Sequence, residues 1–356
     1  MLEHILKEAL RQNASDVHIK AGAVPVFRIN GVLNRQNLPA VSENAITSFI
    51  EQYGTCVVNE TEMDFCCRIN CAGSFRVHGY LQNSFPALAV RIIKSAVPSL
   101  SDLNAPPVLE KLAMQRSGLI LVTGPAGSGK STTLAAMVDF INRNKSAHIV
   151  TLEDPPEYRF TEDKSIISQR QVGSDTGSFA FGLRAALRQD PDVIMIGELR
   201  DAQTAAGAVS AAETGHLVLA TLHTHSAVLA VSRMLDFFAP EKQQQMRAQL
   251  AENLQAVIAQ QLVPGCHGGR TAAFEVLTFT QAVRSLFRDG KAYQLASYMQ
   301  NGRQQGMQCM DYALAYLAKT GEITKQTAQE YAFDIDLLNK YLLQVKTAPL
   351  KLLNIS

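Results

Sequence analysis

Hydrophobic and polar positions follow two different patterns along the chain, and the change between them predicts separate domains. Apolar residues near the start recur at helical spacing, and farther along Phe75 and Val77 alternate with Arg76 and His78. Strict alternation is typical of a half-buried antiparallel sheet. This part of the chain also predicts a second helix at about 43–53 and strands at about 17–19, 25–29, 32–35, 63–69, 74–82 and 87–93. Residues 1–95 are therefore predicted to form a small N-terminal α/β domain, with Asn30-Gly31 as a tight hairpin turn.

The second pattern begins after a Pro- and Ser-rich segment, residues 96–107, which predicts a linker. From residue 108, short apolar runs alternate with helical segments, as a parallel sheet with covering helices requires. Strands are predicted at about 118–123, 148–153, 192–196 and 217–222. We therefore predict an α/β core over residues 108–265. From about Pro264 onward we predict no further strands, so residues 266–356 are predicted to be a helical C-terminal region.

A glycine-rich loop follows the first apolar strand of the predicted core. Its sequence, with the first residue after it, is Gly124-Pro125-Ala126-Gly127-Ser128-Gly129-Lys130-Ser131-Thr132. A strand, such a loop and then a helix are the context of a phosphate-binding loop, where backbone N–H groups and the helix N-terminus hold phosphates. We expect these residues to bind a nucleotide, with Lys130 on the β- and γ-phosphates and the Ser131 hydroxyl on Mg²⁺. The alternative is a glycine-rich turn that merely caps a helix.

Two of the predicted strands end in carboxylates that should face this loop. Glu153 ends the strand at 148–153, and Glu198 follows the strand at 192–196. The C-terminal ends of parallel strands open to the same crevice. One acid can hold the water shell of Mg²⁺ while the other orients or deprotonates the attacking water, and the sequence leaves open which does which. For each acid the alternative is a structural role in which it merely caps a loop. For the nearby Asp154 and Glu157 this structural role is as strongly indicated as a role at the site.

Two histidines bracket the strand predicted at 217–222. If the chain from His216 to His223 is extended, its ends lie ~20 Å apart, so the two side chains cannot touch one γ-phosphate. We expect His223, at the C-terminal end of the strand, to face the nucleotide. His216 is expected at the opposite edge of the sheet or beside a neighbouring subunit, with a purely structural role as its alternative.

The composition of the chain argues against several kinds of partner and location. The 33 Lys and Arg residues nearly cancel the 32 Asp and Glu residues, and there is no Trp, so we expect no nucleic-acid partner. The apolar runs are strand-length and the start of the chain has no signal-peptide core, so we expect a cytoplasmic protein without direct membrane insertion. Four N-terminal cysteines lack zinc-ligand spacing and are expected to be thiols that pack in the core, with a metal or redox site as the alternative: Cys56, Cys66, Cys67 and Cys71.

Taken together, these motifs resemble the secretion ATPases of the type II secretion and type IV pilus superfamily. Residues 124–131 are similar to its Walker A loop, 151–157 to its Asp box, 186–201 to its atypical Walker B segment and 211–224 to its His box. The likeness covers about residues 13–330, including segments at 15–18 and 306–308. It implies an α/β fold with a RecA-like P-loop NTPase core, a smaller PAS-like N-terminal α/β domain and a helical C-terminal region. It also implies ATP and Mg²⁺ as ligands.

The resemblance further assigns roles to single residues. Glu153 corresponds to the general base that acts on water, and Glu198 to the Walker B acid, a partly water-mediated Mg²⁺ ligand. The His-box pair corresponds to His216 and His223, of which His223 would sense the γ-phosphate. Arg76 and Arg91 lie on the strands from which family members bring N-terminal-domain arginines to the nucleotide; a solvated strand face is the alternative for each.

Two features resemble the pilus-retracting branch of this superfamily. Residues 263–270 have no room for the four-cysteine zinc module of exporting members, and residues 282–289 match the retraction motif Ala-Ile-Arg-Asn-Leu-Ile-Arg-Glu at four positions. The resemblance implies a homohexamer that converts ATP hydrolysis into interdomain motion. It would act at the inner face of the cytoplasmic membrane through an inner-membrane platform protein. The alternatives are a secretion, competence or pilus-assembly ATPase, a DNA translocase, which the near-zero net charge disfavours, and a non-enzymatic ATP-binding regulatory or structural subunit.

Overall fold

The computed structural model describes residues 1–29, 31–54, 62–69, 73–93, 96–266 and 268–345, which fall into two compact units. The first unit consists of residues 1–97 together with 154–161. The second consists of residues 98–153 together with residue 162 onward.

The first unit is an antiparallel sheet that is covered on one face by two helices. Its elements are α1 (Leu2–Arg11), β1 (Asp16–Lys20), β2 (Val26–Ile29), β3 (Val32–Arg35), α2 (Glu43–Tyr53), β4 (Glu62–Ile69), β5 (Gly73–Gln82) and β6 (Phe85–Ile93). The strand order is β3-β2-β1-β6-β5-β4. Phe75 and Val77 are completely buried, and α1 buries the apolar positions that share one of its faces, so the strands and helices predicted here are confirmed.

Some of the N-terminal predictions concern residues outside the described ranges. Gly31 has φ +84°, as the predicted hairpin turn requires, but Asn30 lies outside them. So do Cys56 and Cys71. Of the two described cysteines of this cluster, Cys67 is buried in the core, and burial raises the pKa of its thiol to about 12. A thiol that stays protonated in an apolar core is consistent with packing.

A mixed sheet organises the second unit. Its strands are β7 (Gly118–Thr123), β8 (His148–Glu153), β9 (Ile166–Gln171), β10 (Val193–Ile196), β11 (Leu217–Leu222), β12 (Leu254–Pro264) and β13 (Arg270–Thr278), in the order β13-β12-β7-β11-β10-β8-β9. All neighbouring strands are parallel except β12 and β13. Every residue of β7 and β11 is buried, because helices cover both faces of the sheet.

Helices surround this sheet and continue to the end of the described chain. They are α3 (Val108–Ala113), α4 (Lys130–Asn144), α5 (Phe179–Ala186), α6 (Ala202–Glu213), α7 (Ala227–Asp236), α8 (Pro240–Asn253), α9 (Gln281–Arg288), α10 (Leu295–Asn301), α11 (Met310–Lys319), α12 (Lys325–Tyr331) and α13 (Ile335–Gln344). Short 3₁₀ turns at Ala292–Gln294 and Arg303–Gln305 flank α10. None of the helices in the described ranges is both long and apolar enough to cross a membrane.

Three strands of the second unit were not predicted. The prediction that no strand follows Pro264 is wrong, because β13 pairs along its whole length with β12 and extends the sheet into the region predicted to be helical. Seven of the nine residues of β13 are buried in succession, so the alternation that marks a half-exposed strand is missing. Strand β12 begins directly after the mostly polar helix α8, and β9 is a mostly polar strand at the sheet edge. In each case pairing with a neighbouring strand determines the structure.

Candidate functional site

The order of the strands in the second unit brings three sequence motifs to one edge of the sheet. Strand β11 lies between β7 and β10, and all three run in the same direction. The glycine-rich loop follows β7, Glu198 follows β10, and His223 follows β11. Because parallel strands present their C-terminal ends on the same side, the crossover places His223 between the loop and the acid. Strand β8, which ends in Glu153, pairs with β10 on its far side.

The glycine-rich loop keeps its backbone open towards this edge. Gly129 is the N-cap of α4 with φ +90°, a conformation that favours glycine, and no side chain caps the helix there. Gly124 approaches strand β12 so closely that a Cβ atom would lie 2.4 Å from the carbonyl oxygen of Gln260. The N-terminus of α4 therefore points at the loop in the manner of an anion-binding site.

Gln260 is a loop-supporting residue that the sequence did not reveal. Its side chain is buried, and its Oε1 accepts a hydrogen bond of 2.6 Å from the Thr133 hydroxyl of α4. The same side chain lies against Gly129, where an added Cβ would be 2.8 Å from Nε2. One amide thus ties the first turn of α4 to β12. The only sequence signal was a polar residue within an apolar run.

Lys130 lies across the loop that carries it. Its Nζ donates to the carbonyl oxygens of Gly124 (2.9 Å) and Pro125 (3.0 Å) and is 3.4 Å from Nδ1 of His223. The residue is only 8% exposed. In the same loop the Ser128 hydroxyl is buried and has no hydrogen-bond partner among the described residues. A buried polar atom without a partner is costly, and a phosphate oxygen seated in the loop would satisfy it.

His223 connects the loop lysine to the acid after β10. Its Nε2 is 3.2 Å from Oε1 of Glu198, while its Nδ1 faces Lys130. The other carboxylate oxygen of Glu198 accepts a hydrogen bond of 2.8 Å from Nε of Arg200. Lys130, His223 and Glu198 therefore form a continuous polar chain beside the glycine-rich loop.

Three threonines join the ends of β7, β10 and β11 by hydrogen bonds, and the sequence patterns did not indicate these contacts. The Thr123 hydroxyl, at the end of β7, is 2.8 Å from the Thr224 hydroxyl and accepts a hydrogen bond of 2.9 Å from its N–H group. The Thr221 hydroxyl donates to the carbonyl oxygen of Gly197, directly before Glu198. These bonds hold the residues next to His223 and Glu198. Because they join residues far apart in sequence, no local pattern announces them.

Glu153 is more deeply enclosed than Glu198. Its side chain is 7% exposed, and Oε1 accepts hydrogen bonds of 2.8 Å from the Thr151 hydroxyl and from Nε2 of Gln169. Both donors hold the carboxylate in one orientation at the end of β8. Asp154 and Glu157 belong to the segment that groups with the first unit.

His216 lies at the opposite edge of the sheet, as the extended strand predicted. Its carbonyl oxygen accepts from the Gly118 N–H group at the start of β7, and its Nδ1 is 2.9 Å from the Ala211 carbonyl oxygen. With Arg116 and Lys145 it lines a cleft of about 440 Å³. Within the second unit the structure brings only one histidine of the predicted pair to Lys130, and a catalytic role for His216 stays a prediction.

Arg76 and Arg91 face each other directly across β5 and β6 of the first unit. Nε of Arg91 donates to Oδ1 of Asp16 at 2.9 Å. Burial of Asp16 by itself raises the pKa of this carboxyl, but hydrogen bonds from Ser15 and Arg91 outweigh burial and hold the pKa below its usual value. The two arginines thus lie side by side on one sheet face, and their role towards a nucleotide stays a prediction.

The segment at 282–289 that resembles the retraction motif forms α9. Arg284 donates from Nη1 to the carbonyl oxygens of Ala251 (2.6 Å) and Glu252 (2.5 Å), which belong to the last turn of α8. Arg288 forms an ion pair of 3.0 Å with Glu252, but both of these side chains are about half exposed. A cation that satisfies the final carbonyls of a helix both caps it and complements its dipole.

Arg284→Ala is expected to lower the free energy of unfolding by about 2–3 kcal/mol, because charge-assisted hydrogen bonds to helix-end carbonyls are lost. Arg288→Ala, on the same helix face, is the matched control and is expected to lower it by less than about 1 kcal/mol, since exposed ion pairs contribute little. Urea denaturation followed by circular dichroism measures both. Equal losses in the two variants would contradict the capping role.

Comparison with known proteins places these features in a family. The chain matches the family described as type II/IV secretion system protein over residues 1–332. It is 40% identical over 340 residues to the type IV pilus retractation ATPase PilT of Pseudomonas aeruginosa, covering 93% of this chain and 98% of that protein. It is 41% identical over 334 residues to a twitching motility protein of Neisseria gonorrhoeae, covering 92% and 89%.

A solved structure agrees with these relatives. The crystal structure of the pilus retraction motor PilT with bound ADP superimposes with a TM-score of 0.87 at 41% sequence identity, covering 95% of this chain and 99% of that one. This likeness confirms the predicted α/β architecture of a P-loop ATPase core with a smaller N-terminal sheet domain. With the family match spanning most of the sequence, the chain belongs to the type II/IV secretion system protein family.

Proposed function

We propose that this protein is an ATP-hydrolysing motor that powers retraction of type IV pili. The observation that carries the proposal is the polar chain Lys130–His223–Glu198, which ends at the glycine-rich loop. Its most similar relatives include proteins named as a pilus retractation ATPase and a twitching motility protein, and they match it over nearly their full length. An intact hydrolytic site favours an enzyme over a subunit that only binds nucleotide.

The glycine-rich loop supplies the binding site for the triphosphate. Backbone N–H groups of Gly127 to Thr132 and the N-terminus of α4 would surround the β-phosphate, and the Ser128 hydroxyl would gain a partner. Lys130 would exchange the carbonyl oxygens of Gly124 and Pro125 for the more strongly accepting oxygens of the β- and γ-phosphates. Because Lys130 also contacts His223, its move to the phosphate oxygens would change the surroundings of His223.

The oxygen donors beside the loop fit a magnesium ion. Ser131 follows the loop lysine, and Glu198 reaches the same sheet edge, which provides the hydroxyl and carboxylate oxygens that Mg²⁺ prefers. When bound, Mg²⁺ would neutralise charge on the phosphate oxygens. We propose Ser131 as a direct ligand and Glu198 as a ligand that acts partly through water.

Glu153 and Glu198 would divide the work of hydrolysis. Glu153 is held rigidly by Thr151 and Gln169, as befits a base that must orient the attacking water and accept its proton. Glu198 lies closer to the lysine through His223, which favours its assignment to the metal side. His223 would then report the presence of the γ-phosphate to the residues that follow it.

The remaining roles rest on the family resemblance. They are the homohexamer, the inner-membrane platform protein as partner, the location at the inner face of the cytoplasmic membrane, and nucleotide contacts by Arg76, Arg91 and His216. We propose all of them as parts of the same motor.

Three measurements test this function together. Purified protein is expected to release phosphate from ATP at steady state and to assemble into hexamers by light scattering. Deletion of the gene in its own host is expected to abolish twitching and to leave excess pili on the surface. Absent pili or lost secretion would instead assign the protein to assembly or export, and a purified protein without turnover would contradict the enzyme.

A further inference from the structure

Glu275 is a buried carboxylate that the proposed hydrolysis does not use. It lies on β13 and is 3% exposed. Burial raises the pKa of its carboxyl to about 6, although hydrogen bonds from the N–H groups of Ala227 and Met310 act in the opposite direction. The nearby charge of Asp311 adds to the rise, and the buried Cys309 thiol belongs to the same cluster. At neutral pH a costly negative charge therefore sits inside the second unit.

Each oxygen of this carboxylate binds the start of a different helix. Oε1 accepts a hydrogen bond of 2.7 Å from the N–H group of Ala227, the first residue of α7. Oε2 accepts one of 3.3 Å from the N–H group of Met310, the first residue of α11. The positive ends of two helix dipoles thus converge on one side chain. The carboxylate bridges two helices that are separated by about 80 residues of sequence.

One of these helices begins at the proposed nucleotide sensor. Only Thr224, His225 and Ser226 separate His223 from Ala227, and Ser226 is the N-cap of α7. Thr224 is held by Thr123, directly before the glycine-rich loop. A change in the contact between Lys130 and His223 would therefore be passed to the start of α7 through a short, hydrogen-bonded segment. The other helix, α11, packs in the core with β13 and α13.

We propose that Glu275 is a positioning residue that couples the nucleotide-dependent arrangement of the His223 segment to the C-terminal helix α11. The inference rests on the proposed function, because it needs a nucleotide that acts on Lys130 and His223. It goes beyond that function by assigning the connection between the site and the C-terminal helices to one carboxylate.

Asp311 provides a matched control in the same buried cluster. It is 4% exposed, and its Oδ1 accepts hydrogen bonds from the N–H groups of Phe333 (2.8 Å) and Asp334 (3.2 Å), just before α13. Burial raises the pKa of its carboxyl as well. Asp311 therefore has the same chemistry and burial as Glu275, but its recorded hydrogen bonds do not involve α7.

The raised pKa of the Glu275 carboxyl also makes the free energy of unfolding depend on pH. Because its folded-state pKa of about 6 lies above the ordinary value near 4.5, the native protein binds this proton more tightly than the unfolded chain does. The destabilisation is fully present above pH 6 and is lost as the pH falls towards 4.5. Glu275→Gln removes this charge but also turns one acceptor oxygen into an N–H2 donor, so one helix-start N–H group loses its partner. The free energy of unfolding of Glu275→Gln is therefore expected to rise less than that of the parent protein as the pH falls from 7 to 5.

The test compares the full chain with Glu275→Gln and Asp311→Asn by hydrogen exchange of residues 310–319, with and without a non-hydrolysable ATP analogue and Mg²⁺. The analogue is expected to slow exchange at these amides in the parent protein and in Asp311→Asn, and to have less than about a third of that effect in Glu275→Gln. Steady-state turnover of Glu275→Gln is expected to fall about five- to twentyfold, while KM for ATP changes less than about threefold.

Further outcomes separate the failure of this inference from the failure of the proposed function. If Glu275→Gln does not fold, Glu275→Asp replaces it; its carboxylate is one methylene too short to reach both helices and is expected to lose the same nucleotide effect. A full nucleotide effect at 310–319 in the folded Glu275 variant would overturn the coupling and leave the ATPase intact. A parent protein that binds the non-hydrolysable analogue without any effect at 310–319 would do the same. A parent protein that binds no analogue would overturn both.

Discussion

Glu198→Gln is expected to lower ATP turnover at least about a hundredfold while ATP still binds, a loss of about 2.7 kcal/mol or more in transition-state stabilisation. The carboxylate of Glu198 is 3.2 Å from Nε2 of His223 and accepts a hydrogen bond from Arg200. Glutamine keeps the shape but removes the charge that would hold the magnesium side of the phosphates in place during hydrolysis. The phosphate-binding loop is unchanged, so the substrate should still be held by Lys130 and the α4 N-terminus.

Steady-state phosphate release measures turnover of this variant, and a fluorescent ATP analogue measures binding. Glu213→Gln is a matched control, because Glu213 is the last residue of α6 and its Oε2 accepts a hydrogen bond of 3.1 Å from Nε2 of Gln249. We expect turnover of the control to stay within about twofold of the parent protein. Near-parental turnover of Glu198→Gln would show that the chemistry takes place elsewhere.

Lys130→Ala is expected to weaken ATP binding at least about a hundredfold, and turnover falls with it. Lys130 is 8% exposed, and its ammonium group is held over the loop by the carbonyl oxygens of Gly124 and Pro125, where it would meet two phosphates. In such a desolvated position a charge-assisted contact to phosphate contributes about 3 kcal/mol. Alanine also breaks the contact with His223, so the variant should lose any response of the His223 segment to nucleotide.

Lys145→Ala is the control at the other end of the same helix. Lys145 is the C-cap of α4, far from the glycine-rich loop. Titration with the fluorescent analogue should give a dissociation constant within about twofold of the parent protein for this variant. If Lys130→Ala bound the analogue as tightly as Lys145→Ala does, the loop would not be the triphosphate site.

The parts of this protein that could be predicted are those encoded by neighbouring residues. The glycine-rich loop, the acids at the C-terminal ends of β8 and β10 and the histidines around β11 each occupy a few consecutive positions. The strands of the first unit also follow from their own alternation, because one face of that sheet is buried and the other carries polar residues such as Arg76 and His78. Placing His223 near the glycine-rich loop and His216 at the far edge needed only the direction and length of the strand between them.

The features that escaped prediction depend on residues distant in the chain. β12 and β13 are strands because they pair with β7 and with each other, and burial on both faces removes the alternation that would mark them. Gln260 supports the glycine-rich loop from about 130 residues farther along, and Glu275 joins two helix starts that lie on either side of it in sequence. A polar residue within an apolar run can be a buried side chain that supports the site or an exposed side chain on the surface. The neighbouring sequence cannot distinguish these two cases. The local sequence was therefore sufficient to predict which residues face the glycine-rich loop. Only the tertiary structure decided which buried side chains support and connect these residues, because hydrogen bonds between distant residues exist only after the chain has packed.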